Sequence, residues 1–145
     1  MKDIVTVGVV GAGRALELHA FGYKRSNIPC RLKTVMARRS EQIQQAIDLY
    51  GFEKGTTDYN DLLNDPEIDV IDICTPPYVH EDMILEALAA GKHVICEKPL
   101  SGYFGLPGDP SPIGDKVSKQ AMYEHLLESM ERIREAVQKS DRKFM

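Results

Sequence analysis

Near its amino terminus the chain reads Ile4-Val5-Thr6-Val7-Gly8-Val9-Val10-Gly11-Ala12-Gly13-Arg14. The almost wholly apolar residues 4–10 predict a strand that is buried on both faces, as in a parallel sheet. Gly11 permits a tight turn after this strand, and Gly13 lets the backbone approach a pyrophosphate that lies on the first N–H groups of a helix. We therefore predict a phosphate-binding turn followed by a helix over residues 14–24, with Arg14 at the site.

The third glycine of the dinucleotide fingerprint is missing, because Leu16 stands in its place. The strict motif therefore fails, and an isolated pair of glycines spaced by one residue is weak evidence. A larger side chain at this contact between helix and strand overpacks by roughly 1–3 kcal/mol unless the helix moves outward. We expect either a displaced helix or a site adapted to leucine.

Two later strand patterns also end in turns that carry polar side chains. Residues 69–74 are followed by Thr75-Pro76-Pro77-Tyr78-Val79-His80 and by a helix predicted over residues 81–90, which Gly91 closes. Residues 93–96 run into Glu97-Lys98-Pro99. Because Pro99 has no N–H to continue the ladder, the strand stops and Lys98 lies at its carboxyl end. Ligands bind at that edge of an open parallel sheet, although the tripeptide alone also fits a solvated loop.

Strands and helices alternate along the rest of the first hundred residues. The pattern predicts a strand over residues 31–36, a helix over 41–50 capped by Ser40, a short strand over 54–57 and a brief helix through Leu63 capped by Asp58. This order predicts an α/β fold with a doubly wound parallel sheet of the Rossmann type. We expect one dinucleotide-binding domain over residues 1–145.

Residues 102–114 differ from the rest because they mix four glycines with three prolines. They predict an inserted loop, either a mobile surface segment or a lid whose Tyr103 and Phe104 cover the crevice. An apolar stripe at helical spacing follows, and in it Met122 and Met130 are expected to fill the core. The chain ends at residues 142–145, where a sixth strand should start, so we expect a truncated chain.

Three motifs at three strand ends together resemble those of the glucose–fructose oxidoreductase and inositol dehydrogenase family (Gfo/Idh/MocA). They are Gly11-Ala12-Gly13 with His19, Cys74-Thr75-Pro76 with His80, and Gly91-Lys92-His93-Val94-Ile95-Cys96-Glu97-Lys98-Pro99. The resemblance spans residues 4–100. It implies hydride transfer between a nicotinamide dinucleotide and a hydroxyl-bearing carbon of a sugar, cyclitol or similar polyol.

The resemblance also implies roles for individual residues. Lys98 would hydrogen-bond the substrate oxygen and help its proton leave, and Glu97 would hold the nicotinamide ribose. Thr75 and Pro76 would form the wall beside the nicotinamide, while His80 could bond the cofactor or only support its loop. The family's substrate pocket lies in a second, carboxyl-terminal sheet domain that is absent here. We therefore expect the isolated chain to bind cofactor without turnover, and the full-length protein to be a homo-oligomer.

The end of the second predicted strand bears on the choice of cofactor. An NAD-selective fold places an acidic residue there to bond the adenosine ribose, whereas this chain carries Ala37. Arg38 offers a planar fork that can pair with a 2′-phosphate, with Arg39 and Ser40 as additional donors. The two arginines could instead form a solvated helix entry. The missing acid favours NADP over NAD.

Composition excludes several other classes of function. The 145 residues carry 18 basic and 22 acidic side chains, a net charge of −4, which offers no general attraction to nucleic acid or to an anionic membrane. The amino terminus lacks the unbroken apolar segment of a signal peptide, so we expect a cytoplasmic protein. The three cysteines are odd in number and far apart, which indicates reduced thiols and no metal site.

The sequence is also compatible with other functions of the same fold. The same fold also occurs in nucleotide-sensing modules without turnover and, as a weaker alternative, in reductases of unrelated substrates such as linear tetrapyrroles. His19 falls on the first predicted helix, where packing or a surface role is expected. Asp72 lies inside an apolar strand and needs a partner if it is buried, but the sequence does not name that partner.

Overall fold

The computed structural model describes residues 4–145, which form one parallel sheet with helices on both faces. The five strands are β1 (Val5–Val10), β2 (Cys30–Met36), β3 (Lys54–Thr56), β4 (Val70–Ile73) and β5 (His93–Cys96). Their order across the sheet is β3-β2-β1-β4-β5, and every neighbouring pair is parallel. The predicted doubly wound, Rossmann-type sheet is confirmed.

Six helices connect or follow these strands: α1 (Arg14–Arg25), α2 (Ser40–Tyr50), α3 (Asn60–Leu63), α4 (His80–Ala89), α5 (Ile113–Lys116) and α6 (Lys119–Lys139). One 3₁₀ turn, Pro77–Val79, leads into α4. The chain leaves β1 toward β2 on one side and later returns to pair β4 on the other side. A crevice forms between the carboxyl ends of strands at such a switch point.

The sheet separates two cores. One core lies between the sheet and the pair α1 and α2, and it buries Val7, Val9, Leu16, Ala20 and Val35. The other lies under α4 and α6 and buries the largest aliphatic side chains of β4 with Leu62, Ile68, Ile84 and Ile133. Leu16 is 1% exposed. The position of the missing glycine is therefore filled by a leucine that belongs to the core.

Helix ends follow the predicted chemistry with two differences. Asp58 accepts a hydrogen bond from the Asn60 backbone N–H at 2.9 Å, as expected of a cap, and Gly51 ends α2 with a left-handed φ of 82°. The predicted cap at Ser40 is wrong, because Arg39 is extended and α2 already begins at Ser40. The loop predicted over residues 102–114 ends earlier, because α5 starts at Ile113 directly after Pro112.

The long carboxyl-terminal helix α6 packs against α4 along part of its apolar stripe. Its Ser118 cap accepts a hydrogen bond from the Ala121 N–H at 3.1 Å, and Ser129 and Ile133 are buried. Met130 is 38% exposed, so its predicted core role is wrong, whereas Met122 is half-buried. Met130 is rotated by about 100° around α6 from the buried Ser129, so it lies at the margin of the packed face.

After α6 the chain returns to the sheet. Phe144 pairs in parallel with Val94, and the Met145 N–H donates to the Val94 carbonyl at 2.9 Å. Residues 143–145 therefore lie along the outer edge of β5. Among residues 4–145, the helices are too short or too polar to cross a membrane.

Candidate functional site

A crevice of about 410 Å³ opens at the carboxyl ends of β1, β2 and β4. Six of the predicted cofactor residues line it: Gly11, Gly13, Ala37, Arg38, Thr75 and Pro76. Tyr78, Val79 and Met83 close its far side. The structure thus brings together, in one cleft at the switch point, residues that are separated by more than sixty positions in the sequence.

The two glycines of the turn differ in what surrounds them. A Cβ atom on Gly11 would lie 2.6 Å from the Cys74 carbonyl oxygen, and the φ of Gly11 is +100°. Gly11 is therefore required by the fold itself. A Cβ atom on Gly13 would meet nothing within 4 Å. Gly13 leaves open space at the start of α1, which is where a pyrophosphate would approach the helix.

The end of β2 brings Ala37 and Arg38 to the crevice. Ala37 is 4% exposed, and its N–H donates to the Thr56 carbonyl at 3.2 Å. Because this residue is an alanine, the end of β2 offers no carboxylate here. Arg38 is exposed and lines the cleft. Arg39 is exposed as well and caps α2 with its backbone, while Arg14 is exposed on the first turn of α1.

His80 is fully buried and connects two loops of the site. Its Nε2 lies 2.8 Å from the Thr75 carbonyl oxygen, and its Nδ1 lies 3.1 Å from the Pro99 carbonyl oxygen. Both ring nitrogens are therefore engaged by backbone. Of the two interpretations of His80, this geometry favours support of the loop over a direct bond to a cofactor.

Glu97 and Lys98 line a second cavity of about 560 Å³ that is shared with α1. Lys98 is exposed, and its N–H donates to the Glu97 carboxylate at 3.0 Å. The other oxygen of that carboxylate lies 2.9 Å from the His19 Nε2. The two cavities share no lining residue, so the structure does not bring Glu97 and Lys98 into the first crevice, and the Glu97 carboxylate is turned toward α1.

His19 joins two carboxylates, a role that the sequence alone did not indicate. Its Nδ1 lies 2.8 Å from Asp72, which is 0% exposed in the middle of the sheet. The Tyr23 hydroxyl donates to the same carboxylate at 2.7 Å, and the Cys74 thiol donates to it at 3.6 Å. These contacts supply the partners that the buried Asp72 requires. The spacing of His19 and Tyr23 by one helical turn is the signal that could have found them.

This cluster changes the proton affinity of its members. The hydrogen bond to Asp72 raises the pKa of His19 from 6.5 to about 9, against the opposing effect of burial. The hydrogen bond from His19 lowers the pKa of Glu97. Burial, followed by the nearby charge of Asp72, raises the pKa of both Tyr23 and Cys74. At neutral pH His19 is therefore an imidazolium that donates from both nitrogens.

The loop before α5 reaches the crevice through an aromatic contact. The ring of Phe104 meets that of Tyr78 edge-on, with centroids 6.4 Å apart, and Tyr103 packs edge-on against His125 at 5.2 Å. Asp109 accepts hydrogen bonds from the Tyr103 hydroxyl and, at 2.6 Å, from the Leu106 N–H. Internal bonds thus shape the loop, and Phe104 extends the wall of the cleft.

Comparisons with known proteins agree with this geometry. Residues 5–103 match the model of an oxidoreductase family with an NAD-binding Rossmann fold, Gfo/Idh/MocA. An uncharacterized oxidoreductase of Bacillus subtilis, YrbE, is 46% identical over 101 residues, which cover 69% of this chain and 29% of that protein. Myo-inositol 2-dehydrogenase of Thermotoga maritima is 32% identical over 95 residues, which cover 66% and 28%.

A solved structure is similar over the same region. Levoglucosan dehydrogenase in complex with NADH shares 32% identity with a TM-score of 0.64, and the match covers 68% of this chain and 28% of that one. The chain thus spans under a third of the length of these relatives. With the family model matched over residues 5–103, the chain belongs to the Gfo/Idh/MocA oxidoreductase family.

Proposed function

We propose that this chain binds a nicotinamide dinucleotide in the crevice of about 410 Å³ and serves as the cofactor domain of an oxidoreductase. The observation that carries the proposal is the open space at Gly13, where a Cβ would meet nothing within 4 Å, beside the free N–H groups that begin α1. The residues present fit the group. When bound, the nicotinamide supplies the hydride chemistry.

Different residues of the chain would bind different parts of the dinucleotide. The first turn of α1 receives the pyrophosphate, and Gly11 keeps the turn close to Cys74. Thr75 and Pro76 form the wall on the β4 side, held from behind by the bond from His80 to the Thr75 carbonyl. Glu97 keeps lone pairs for a ribose hydroxyl while it accepts from His19.

Lys98 is the residue that acts on the substrate in this proposal. It is exposed after β5 and lines the cavity of about 560 Å³, and its ammonium can donate to a substrate oxygen and help the hydroxyl proton leave. The names of the relatives support a sugar, cyclitol or similar polyol as the substrate class, because they include myo-inositol and levoglucosan dehydrogenases.

We further propose NADP as the preferred cofactor, with NAD as the alternative. Ala37 offers no carboxylate to repel a 2′-phosphate, and Arg38 lines the crevice as a cation with a planar fork. Arg39 caps α2 close by and can add a second cation, and Arg14 stands at the first turn of α1. A charge-assisted contact of about 1.5–3 kcal/mol corresponds to roughly a ten- to hundredfold preference.

Titration of the chain with NADPH and NADH at low salt tests both proposals. Binding of either dinucleotide is required for the function, and tighter NADPH binding is required for the cofactor preference. Arg38→Ala should remove most of the preference and leave NADH affinity within about threefold. Arg25→Ala is the matched control, because Arg25 ends α1 and lies over the Phe21 ring. Equal affinity of the parent for both dinucleotides would refute the NADP assignment.

The wider organisation follows from the same proposal. We infer that residues 1–145 form the dinucleotide-binding domain of a homo-oligomeric protein whose substrate pocket lies outside these residues. The thiols of Cys30, Cys74 and Cys96 are free, which supports a reducing, cytoplasmic compartment.

A further inference from the structure

An unbroken path of hydrogen bonds runs from the middle of the sheet to the backbone of Lys98. Asp72 on β4 accepts from the His19 Nδ1 at 2.8 Å, and the His19 Nε2 lies 2.9 Å from one oxygen of Glu97. The other Glu97 oxygen accepts from the Lys98 N–H at 3.0 Å. Three side chains from three separate elements thus converge on the loop that carries Lys98.

The inner end of this path is rigid. Asp72 is 0% exposed, and the Tyr23 hydroxyl donates to it at 2.7 Å, so its carboxylate is fixed from two sides by α1. His19 is one helical turn before Tyr23 on the same helix, and its side chain is 20% exposed. The imidazole therefore has a fixed base from which it reaches outward to Glu97.

The exposed end of this path is the loop that carries Lys98. Lys98 is exposed, and Pro99 after it has no N–H to donate. The carbonyl oxygen of Pro99 lies 3.1 Å from the His80 Nδ1. His19 bonds the residue before Lys98, and the His80 ring lies against the residue after it. Lys98 therefore stands between two residues that contact buried or half-buried imidazoles.

We propose that His19 is a positioning residue that holds the Glu97 carboxylate, and through it the Lys98 backbone, in the geometry used for cofactor and substrate. His19 touches neither ligand and acts through Glu97. Its link to dinucleotide affinity rests on the proposed function, whereas its effect on Lys98 does not. Two substitutions separate the two ring nitrogens, because an Asn amide nitrogen can replace Nδ1 and a Gln amide nitrogen can replace Nε2.

The first readout is hydrogen exchange of the Lys98 amide, measured by NMR on the 145-residue chain. His19→Asn keeps a donor near Asp72 and loses the reach to Glu97, so exchange should accelerate by about tenfold or more. His19→Gln keeps the reach and should stay within about threefold. His93→Asn is the control, because His93 lies at the opposite end of β5 and accepts from the Lys143 N–H.

The second readout is the Kd for NADPH and NADH. His19→Asn should weaken binding by roughly tenfold, while His19→Gln and His93→Asn should leave it within about threefold. In a Glu97→Ala background, His19→Asn should produce no further loss, because the proposal routes its effect through that carboxylate. A further loss of tenfold in this background would overturn the proposal.

The outcomes separate the two proposals. If the parent chain binds neither dinucleotide, the proposed function fails, and the Lys98 exchange still decides the role of His19. Equal exchange in His19→Asn and His19→Gln, whether fast or slow in both, would overturn the positioning role. If His19→Asn does not fold, the ¹⁵N chemical shift of the His19 Nε2 is measured instead, in the parent and in Glu97→Ala. That signal should shift in Glu97→Ala, and an unchanged signal would contradict the proposal.

Discussion

His19 and Asp72 form an ion pair, with 2.8 Å between Nδ1 and the carboxylate, that fastens helix α1 to the most deeply buried acid of the sheet. This contact joins residues 53 positions apart in the sequence. It lies directly behind the loop that carries Glu97 and Lys98. The first consequence of the pair concerns stability as a function of pH.

The ion pair predicts a loss of stability at alkaline pH. The pKa of His19 is raised from 6.5 to about 9, so its contribution is fully present below pH 6.5 and is lost as the pH rises through about 9. The free energy of unfolding from urea titrations should fall by about 1–3 kcal/mol more in the parent than in His19→Gln between pH 6 and pH 10. Identical pH profiles of the two proteins would refute this.

At acid pH, Glu97 makes the free energy of unfolding depend on pH in the opposite direction. Because its pKa is lowered, its contribution is present above its ordinary value of 4.5 and is lost as the pH falls through the lowered value. The same titrations between pH 5 and pH 3 should show a smaller decline in Glu97→Gln than in the parent. A steeper decline in the variant would contradict the His19–Glu97 contact.

Gly11 should be required for folding. Gly11→Ala places a Cβ 2.6 Å from the Cys74 carbonyl oxygen at a φ of +100°, and we expect it to destabilise the chain by about 1–3 kcal/mol or more. Thermal unfolding measures the effect, and Gly22→Ala on α1 is the control, because its Cβ meets nothing within 4 Å. A Gly11→Ala protein as stable as the parent would contradict the close approach of Gly11 to the Cys74 carbonyl.

Lys98 should be needed for turnover and not for cofactor binding. In the enzyme that carries this chain, Lys98→Met keeps the bulk of the side chain and removes its charge and donors. We expect the rate on a polyol to fall by roughly a hundredfold or more, with the dinucleotide Kd within about threefold. Steady-state kinetics measure the rate, and titration measures the dinucleotide Kd. A rate within about threefold of the parent would make Lys98 structural.

The sequence was most informative where backbone chemistry is local. Gly11, Gly51 and Gly91 all have positive φ values, and the strand ends at Thr75 and Glu97 follow from the apolar runs before them. The fold class and the lining of the crevice were predictable for this reason. The local pattern did not always identify the right residue. It predicted Ser40 as the cap of α2, whereas the cap is Arg39.

Long-range side-chain pairing was not predictable in the same way. Asp72 has partners on α1, and the His80 ring lies between the carbonyl oxygens of Thr75 and Pro99, of which Pro99 is 19 positions from His80 in the sequence. Such pairs depend on how a helix rotates over the sheet, which hydrophobic periodicity fixes only coarsely. The exposure of Met130 has the same origin, since one residue on a helix turns a side chain by about 100°.

A dinucleotide that lies against the turn at Gly13 should bind less tightly once a methyl group is added there. NADPH and NADH are titrated into the parent and into Gly13→Ala, whose added Cβ meets no protein atom within 4 Å. We predict that Gly13→Ala keeps the thermal stability of the parent and binds at least about tenfold more weakly, because the methyl group occupies the space of the pyrophosphate. Binding of the dinucleotide by Gly13→Ala as tightly as by the parent, or no binding by the parent, would contradict it.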